Sequence, residues 1–346
     1  PLLLEESLVY HKQCKKMKKY NVFGIGNALV DCVYMVNDKF LDDNKIEKGL
    51  MTLVDEEKQK SIIKKIKKFD SVIQSGGSVT NSVYTLSQLG GSGYVSVLVA
   101  KDEFGKIYLS DLKNSNVSTG GSKFTTGDGM TGTCLVLTTP DAERTMNTCL
   151  SISSNFSIKN IDLNDLKNSE YLYIEGYLVT SESAMEAVNQ SIEFSVKNDV
   201  KIALTFSDLA MVKYFKDNFK SILNRKVDLL FCNEDEAKTF SESNSLNDSI
   251  NYLGQLSSTL VITLGKNGSL IYKNGKKIKI EPYPTKAIDT VGAGDTFAGA
   301  FLYGITNGLS LKKSGDLASL LSSKVVSKIG PRLEKDDIIS NKNFFK

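Results

Sequence analysis

Short apolar segments rich in β-branched residues alternate along this chain with longer segments whose apolar residues recur at helical spacing. The short segments predict strands at Val22–Ile25, Tyr94–Ala100, Tyr171–Glu175, Lys201–Phe206, Leu229–Cys232 and Leu260–Leu264. The longer segments predict helices at Gly77–Gln88, Ser183–Lys197, Asn247–Leu256, Thr296–Thr306 and Leu311–Lys328. This alternation predicts an α/β fold with a doubly wound, mostly parallel sheet flanked by helices.

Two segments, Asp31–Val54 and Gly129–Leu150, interrupt this order because they alternate in polarity like strands of a separate small sheet. They follow early strands, at the edge where an open α/β sheet binds its ligand. We therefore expect a small β-sheet lid, built from segments at about 31–55 and 126–150, that closes over a substrate and excludes water. The rest of residues 17–340 suits one domain, and residues 1–16 are expected to form an unstructured extension.

Composition excludes several classes of protein. Lys and Arg number 43 against 40 Asp and Glu, so the chain lacks the basic excess of a nucleic-acid-binding protein. No apolar run reaches the length of a membrane span. A single histidine, His11, rules out a catalytic histidine triad, and five scattered cysteines suggest neither a disulfide framework nor a zinc site. We expect a cytoplasmic protein whose partner is a small molecule, without nucleic acid or membrane.

The most informative stretch is Asp289–Gly299, which reads DTVGAGDTFAG. Gly292 and Gly294 flank Ala293, so the backbone can turn tightly and approach a ligand closely. The small, apolar residues that follow suit a buried helix, and a helix N-terminus attracts phosphate. Asp295 lies at this anion site, where a carboxylate can take a proton from a hydroxyl that attacks phosphorus. The stretch predicts a small-molecule kinase; an Asp that merely complements the helix dipole is the alternative.

Two further segments carry candidate substrate-binding residues. Neither a complete G-x-G-x-x-G fingerprint nor a P-loop occurs. Asn27 and Asp31 follow the first predicted strand, where an amide and a carboxylate can hydrogen-bond the hydroxyls of ribose or another sugar, or simply order a turn. Gly77, Ser78 and Asn81 lie at a predicted helix start, where they can contact a polyhydroxy substrate or act as an ordinary cap.

The DTVGAGDTF run resembles the C-terminal signature of the PfkB (ribokinase-like) carbohydrate kinase family, closest in motif to its adenosine kinase and sugar kinase branch. This resemblance implies that Asp295 is the catalytic base and that the amides of Gly292, Ala293 and Gly294 form an anion hole. It extends from about residue 22 to residue 333. It also implies a ribokinase-like fold with a β-lid built from two such excursions.

The same resemblance implies roles for the substrate segments. The stretch GNALVD resembles the substrate-binding stretch of adenosine kinases, in which the Asn and Asp grip the ribose, so these roles fall on Asn27 and Asp31. The Gly-Gly…Asn pattern resembles the N-terminal signature of the family, which implies substrate contact by Gly77, Ser78 and Asn81.

The resemblance further implies ATP and Mg²⁺ as cofactors. The Asn-x-x-Glu spacing of Asn233 and Glu236 matches a family motif associated with Mg²⁺, held through water, and with phosphate; an acidic helix N-terminus would explain the same residues. The loop after the last predicted strand touches the nucleotide in this family, which makes Thr263, Gly265 and Gly268 candidate nucleotide-binding residues.

Two more residues have candidate roles. Arg144, on the predicted lid, could close over the transferring phosphoryl group or be an ordinary surface arginine. Asp289 and the stretch KIGPR near the C-terminus resemble the region that holds a monovalent cation in some members of the family. Pro331 departs from the Ala commonly found there, so K⁺ is left open.

We therefore expect an ATP-dependent kinase that transfers the γ-phosphoryl group to a hydroxyl of adenosine or a related nucleoside. A sugar kinase acting on ribose, fructose or another free sugar is the alternative. A non-catalytic nucleoside or sugar sensor is a further one, although such a sensor would not need Asp295. The protein is expected to be a monomer or a homodimer that pairs through the edge of its lid sheet.

Overall fold

Sixteen strands occur in the computed structural model, which describes residues 18–49, 51–66, 71–141, 143–225 and 227–342; the predicted extension at 1–16 lies outside the described residues. In chain order the strands are β1 (Tyr20–Ile25), β2 (Val30–Met35), β3 (Met51–Leu53), β4 (Ser71–Ser75), β5 (Gly93–Ser96), β6 (Val99–Ala100), β7 (Val117–Ser118), β8 (Thr126–Gly127), β9 (Thr133–Thr138), β10 (Arg144–Cys149), β11 (Ser169–Ile174), β12 (Lys201–Thr205), β13 (Val227–Asn233), β14 (Ser257–Thr263), β15 (Ser269–Lys273) and β16 (Lys276–Ile280).

Fourteen α-helices lie within the same described ranges. They are α1 (Asp38–Asp43), α2 (Glu56–Ile66), α3 (Ser78–Gln88), α4 (Glu103–Asn114), α5 (Ser122–Thr125), α6 (Leu163–Lys167), α7 (Glu182–Lys197), α8 (Leu209–Tyr214), α9 (Lys216–Leu223), α10 (Glu234–Ser241), α11 (Leu246–Leu256), α12 (Ala293–Thr306), α13 (Leu311–Val325) and α14 (Lys335–Lys342). Short 3₁₀ turns occur at Ser151–Asn155, Ile158–Asn160, Gly176–Thr180 and Gly265–Asn267.

A nine-stranded sheet in the order β16-β15-β14-β13-β12-β11-β1-β5-β7 forms the centre of the protein. Its strands are parallel from β7 to β14, and β15 and β16 add an antiparallel hairpin. Asn274 and Gly275 make the turn of this hairpin, and both have positive φ angles, 50° and 76°. The predicted doubly wound, mostly parallel sheet is therefore confirmed.

Both faces of this sheet are covered, as expected where helices connect parallel strands. Successive residues of β11 show this, because Leu172 and Ile174 belong to one apolar core and Tyr171 and Tyr173 to the other. Helices α3, α12 and α13 pack on the face of the tyrosines, and α7, α9, α10 and α11 pack on the opposite face. The carboxyl ends of the parallel strands are left open for a site.

A five-stranded sheet in the order β3-β10-β9-β2-β4 is the predicted lid. Four of its strands come from the two expected segments. The fifth, β4, lies outside them at Ser71–Ser75. It pairs antiparallel with β2, and Val30 lies opposite Ser75. Because β4 is a short edge strand, its sequence carries too little alternation to reveal it.

Several predicted boundaries were wrong; the helix predicted to end at Lys328, for example, ends at Val325. Two further differences concern the main sheet and the glycine-rich turn. Tyr94–Ala100 is not one strand, because β5 ends at Ser96 and β6 leaves the main sheet to pair with β8. The run is buried throughout, so its hydropathy gives no sign of the break. The helix predicted from Thr296 begins at Ala293, and part of the glycine-rich turn is therefore helical.

Candidate active site

Asp295 lies in the first turn of α12 and each of its carboxylate oxygens accepts a hydrogen bond from α3. The hydroxyl of Ser78 donates to Oδ1 at 2.6 Å, and the side-chain amide of Asn81 donates to Oδ2 at 3.0 Å. Burial raises the pKa of Asp295, and these two hydrogen bonds oppose the shift. A carboxylate with a raised pKa, oriented by two donors, is suited to accept a proton from a substrate hydroxyl.

The two polar residues of α3 were predicted to contact substrate. In the structure Ser78 is not an N-cap: Gly77 occupies the N-cap position without a side-chain hydrogen bond, and Ser78 bonds Asp295 instead. Asn81 also bonds Asp295. Direct contact of either residue with substrate stays a prediction.

The backbone before Asp295 turns at a glycine. Gly292 is the N-cap of α12, with a φ angle of 78° that only glycine adopts without strain. Ala293 and Gly294 form the start of the helix. The Ala293 N–H donates to the carbonyl oxygen of Thr290 at 3.3 Å, and the Gly294 N–H belongs to the first turn, whose N–H groups have no partner within the helix. Gly294 has open space where a Cβ would be. The three residues predicted to form an anion hole thus lie at a helix N-terminus, and their role in anion binding stays a prediction.

The two predicted substrate segments lie against each other at the start of the lid. Gly77 has a φ angle of 92°, and a Cβ there would overlap the carbonyl oxygen of Asn27. A Cβ on Gly76 would overlap the carboxylate of Asp31. Asn27, Asp31 and Gly77 all line the same cleft as Asp295.

Glu175, which the sequence analysis did not assign to the site, joins these segments. It follows β11 and is buried; Oε1 accepts the backbone N–H of Asn27 at 3.1 Å, and Oε2 that of Val79 at 3.0 Å. Burial raises the pKa of Glu175 to about 7. The sequence signal that could have indicated Glu175 as a site residue is its position at the carboxyl end of a predicted parallel strand, where α/β sheets bind ligands.

The cleft at Asp295 has a volume of about 580 Å³ and lies between the main sheet and the lid. Polar groups from the strand ends form one side. The lid strands and the segments flanking them supply apolar side chains on the other, namely Leu29, Met51, Leu53, Val136, Met146 and Leu150. Tyr177 and Phe231 also line it. The cleft therefore offers both hydrogen-bonding groups and an apolar surface.

A second cavity of about 530 Å³ adjoins the first. The predicted nucleotide-binding residues Thr263, Gly265 and Gly268 all line it, together with the segment 282–287. Four residues line both cavities: Thr263, Thr290, Gly294 and Phe297. The two cavities therefore meet at the N-terminus of α12, next to Asp295.

Asn233 and Glu236 form a capping box at the start of α10. The backbone and side-chain N–H groups of Asn233 donate to the two Glu236 oxygens at 2.9 Å each, and the Glu236 N–H donates to Asn233 Oδ1 at 2.8 Å. Both residues line the first cleft. Burial raises the pKa of Glu236 to about 7. The cap is thus present, and a role with Mg²⁺ stays a prediction.

The remaining predicted residues are placed as follows. Asp289 is buried and its carboxylate accepts the backbone N–H groups of Val291 at 3.0 Å and Gly330 at 2.7 Å. Arg144 begins β10 opposite Thr138, and its side chain lies outside what the structure describes. Their roles with K⁺ and with phosphate stay predictions.

Arg332 is the last residue of the KIGPR stretch, and the sequence analysis gave it no individual role. Its Nε donates to Oδ1 of Asn81 at 2.8 Å and its Nη1 to Oδ2 of Asp111 at 2.6 Å. It reaches the site from 251 positions beyond Asn81. No local sequence signal indicates such a contact.

Comparison with known proteins identifies the class of this site. Residues 52–337 match the model of the pfkB family carbohydrate kinases, which is most of the chain. The chain belongs to this family and has the ribokinase-like α/β fold. It is a phosphotransferase with an alcohol group as acceptor, that is, a sugar or nucleoside kinase.

Relatives of both kinds are similar to it. Adenosine kinase 1 of Arabidopsis thaliana is 25% identical, over 89% of this chain and 94% of that protein. A 5-dehydro-2-deoxygluconokinase of Clostridium botulinum is 27% identical, over 73% of this chain and 78% of that protein. The crystal structure of adenosine kinase from Sinorhizobium meliloti superposes with a TM-score of 0.86 at 28% identity, over 95% of this chain and all of that one.

Two other features of the described residues bear on the sequence analysis. Cys32, Cys134, Cys149 and Cys232 are buried and unpaired, while Cys14 lies outside the described residues. None of the helices in the described ranges combines the length and apolar character that a membrane span needs.

Proposed function

We propose that this protein transfers the γ-phosphoryl group of ATP to a hydroxyl of adenosine or a related nucleoside, with Asp295 as the general base. The observation that carries the proposal is the junction of two cavities at Gly294, beside Asp295. One cavity would hold the nucleotide and the other the acceptor. Their junction is where the phosphoryl group would pass from one to the other.

The lining of the acceptor cleft supports a nucleoside. A ribose needs hydrogen-bonding groups, which Asn27 and Asp31 supply at the base of the lid. A flat nucleobase needs an apolar surface, which the lid supplies through Leu53, Val136 and Met146. A free sugar carries hydroxyl groups on most of its surface and would leave those apolar groups without a matching partner.

In the proposed mechanism Asp295 accepts the proton of the attacking hydroxyl while Ser78 and Asn81 hold its carboxylate in place. The N–H groups at the start of α12 lie next to the base and would stabilise the negative charge of the transferred group. Closure of the lid would exclude water, which otherwise competes with the acceptor for the phosphoryl group. Arg144, on lid strand β10, is proposed to add positive charge on closure.

Mg²⁺ would fit this site through water. Among the described residues no group of three or more acidic, cysteine or histidine side chains is arranged to hold a metal ion. Glu236 and Asn233 line the cleft, but their side chains already bond each other. They would hold hydrated Mg²⁺, which usually keeps several waters, and the ion would neutralise phosphate charge. Asp289 is the corresponding candidate for K⁺.

A free sugar or sugar acid is the second candidate acceptor. The similarity to 5-dehydro-2-deoxygluconokinases favours it, because those relatives are as similar to this chain as the adenosine kinases are. The polar side of the cleft could bind the hydroxyl groups of such an acceptor without using the apolar lid.

The test is ADP release from Mg-ATP with adenosine, other nucleosides, ribose, fructose and 5-dehydro-2-deoxygluconate as acceptors. Adenosine should give the highest kcat/KM. Asp295→Asn should lower it by about 10³-fold or more in a protein that still folds, because a neutral amide suits a buried site. Turnover of sugars alone would replace the nucleoside proposal, and full activity of Asp295→Asn would refute the role of the base.

A further inference from the structure

A guanidinium group supports the catalytic carboxylate through one intervening side chain. Arg332 lies in the segment between α13 and α14, its side chain is 9% exposed, and it lines neither cavity. It bonds Asn81 and Asp111 as described above, and its guanidinium carbon lies 4.7 Å from the centre of the Tyr84 ring. These contacts fix the guanidinium on several sides.

The contacts of Arg332 decide which way the Asn81 amide faces. The oxygen and nitrogen ends of an amide have nearly the same shape, so hydrogen-bond partners set its orientation. A guanidinium offers only donors and the Asp295 carboxylate only acceptors. The Asn81 oxygen must therefore face Arg332, which leaves its NH₂ group to donate to Asp295, as observed. The reversed amide would place oxygen against carboxylate and NH₂ against guanidinium.

We propose that Arg332 is a positioning residue for phosphoryl transfer, which fixes the Asn81 amide as a donor to Asp295 and holds a positive charge behind the base. This inference rests on the proposed role of Asp295. Arg332 acts through Asn81 and does not contact the reacting atoms, so its loss should alter the protonation and orientation of the base rather than the binding of ATP.

The charges around Asp295 agree with this role. Burial raises the pKa of Asp295, and the charge of Arg332 lowers it, together with the donors on α3. The other titratable groups that sense Asp295 are Glu175, Tyr173 and Tyr177 from β11 and the turn after it, and the Asp295 charge raises the pKa of each. These three groups are acids, so none of them can replace the positive charge of Arg332.

Three variants separate charge from orientation. Arg332→Gln removes the positive charge. Arg332→Lys keeps the charge but loses the planar fork of donors. Arg225→Gln is the control for Arg332→Gln, because it removes the charge of an arginine that pairs with Glu193 at the surface. Arg332→Gln should lower kcat by about tenfold or more with the KM for ATP within about twofold. It should also move the acidic limb of the kcat/KM profile up by about one pH unit. Arg332→Lys should keep the limb in place and recover only part of kcat, and Arg225→Gln should match wild type.

Rates are measured as ADP release with adenosine, or with ribose or fructose if adenosine is inert. A second readout does not depend on activity: the melting temperatures of wild type, Asp295→Asn, Arg332→Gln and the double variant are followed from pH 4 to 9. The difference in melting temperature between wild type and Asp295→Asn should change with pH, because Asp295 ionises and asparagine does not. Between Arg332→Gln and the double variant, the same change in the melting-temperature difference should occur at a pH about one unit higher.

Two results would overturn the proposal. One is that the effect of Asp295→Asn on the melting temperature changes at the same pH with and without Arg332→Gln. The other is that Arg332→Gln has the same rate and pH profile as Arg225→Gln. If Arg332→Gln does not fold, a wild-type kcat for Arg332→Lys would overturn the orienting role. If no acceptor supports ADP release by the wild-type protein, the proposed function fails, and the melting comparison still decides the role of Arg332.

Discussion

Gly292 lies directly against the backbone of Pro331, so closely that a Cβ on residue 292 would overlap the proline carbonyl oxygen and Cα. Gly292 begins the helix that carries Asp295, and Pro331 precedes Arg332. This contact therefore sets the spacing between the helix of the base and the segment of the arginine. The requirement for glycine at position 292 has two causes, a positive φ angle and the absence of space.

Gly292→Ala should destabilise the protein by at least about 2 kcal/mol, because the alanine would adopt a left-handed conformation and also overlap Pro331. Gly294→Ala is the matched control, since its φ angle is not positive and a Cβ there meets nothing within 4 Å. It should leave the free energy of unfolding unchanged or slightly raised. Urea unfolding of both variants measures the contrast, and equal losses of stability would contradict it.

The variants Gly292→Ala and Gly294→Ala also distinguish an effect on stability from an effect on catalysis. Gly294 lines both cavities, so a methyl group there would project where the proposed nucleotide and acceptor cavities meet. Gly294→Ala should therefore reduce kcat at least about tenfold in a fully folded protein. Wild-type turnover by this variant would mean that the phosphoryl group does not pass this point.

Gly76→Ala should raise the KM for the acceptor by about tenfold or more and leave the KM for ATP unchanged. The backbone of Gly76 does not have a positive φ angle, so alanine fits its conformation, but the new Cβ would displace the Asp31 carboxylate from its position. Steady-state kinetics with each substrate varied in turn measure the two KM values separately. Gly121→Ala, where a Cβ meets nothing within 4 Å, should leave both KM values unchanged. An equal rise in both KM values would argue against an acceptor-binding role for Asp31.

The stability of the protein should fall between about pH 4.5 and pH 7. Glu236 has a pKa raised from its usual 4.5 to about 7 by burial, so in this range the unfolded chain releases a proton that the folded protein keeps. Stability that is present at low pH is lost as the pH rises and stays lost above pH 7. Glu175 adds a second loss over the same range.

Glu236→Gln should flatten this dependence, because glutamine does not titrate. The full effect of one such group is about 3 kcal/mol at neutral pH. Urea unfolding at pH 5, 6, 7 and 8 measures the slope for wild type and variant. Glu242→Gln provides the control, because the hydrogen bond and charge of Lys216 lower the pKa of Glu242 instead of raising it. Parallel curves for wild type and Glu236→Gln would show that the buried carboxyl does not carry the dependence.

The main sheet could be predicted from the sequence because its strands are buried on both faces and therefore appear as continuous apolar segments. Asp295 could be singled out from the sequence because it lies in a contiguous glycine-rich motif, and its role as the base stays a prediction. Glu175 and Arg332 could not be assigned in this way. Each acts through side-chain contacts across the fold, such as the Arg332–Asn81 bond that spans 251 positions. Periodicity and local motifs carry no information about such contacts.

The division between the two sheets has an evolutionary consequence. The carboxylate of Asp295 and its two donors belong to helices packed on the main sheet, whereas much of the apolar surface facing the acceptor belongs to the lid. Under the proposed function, substitutions in the lid would therefore change the acceptor without disturbing the carboxylate of Asp295. A lineage would then acquire a new acceptor by altering a few lid side chains, and the relatives of this chain are indeed named for different acceptors.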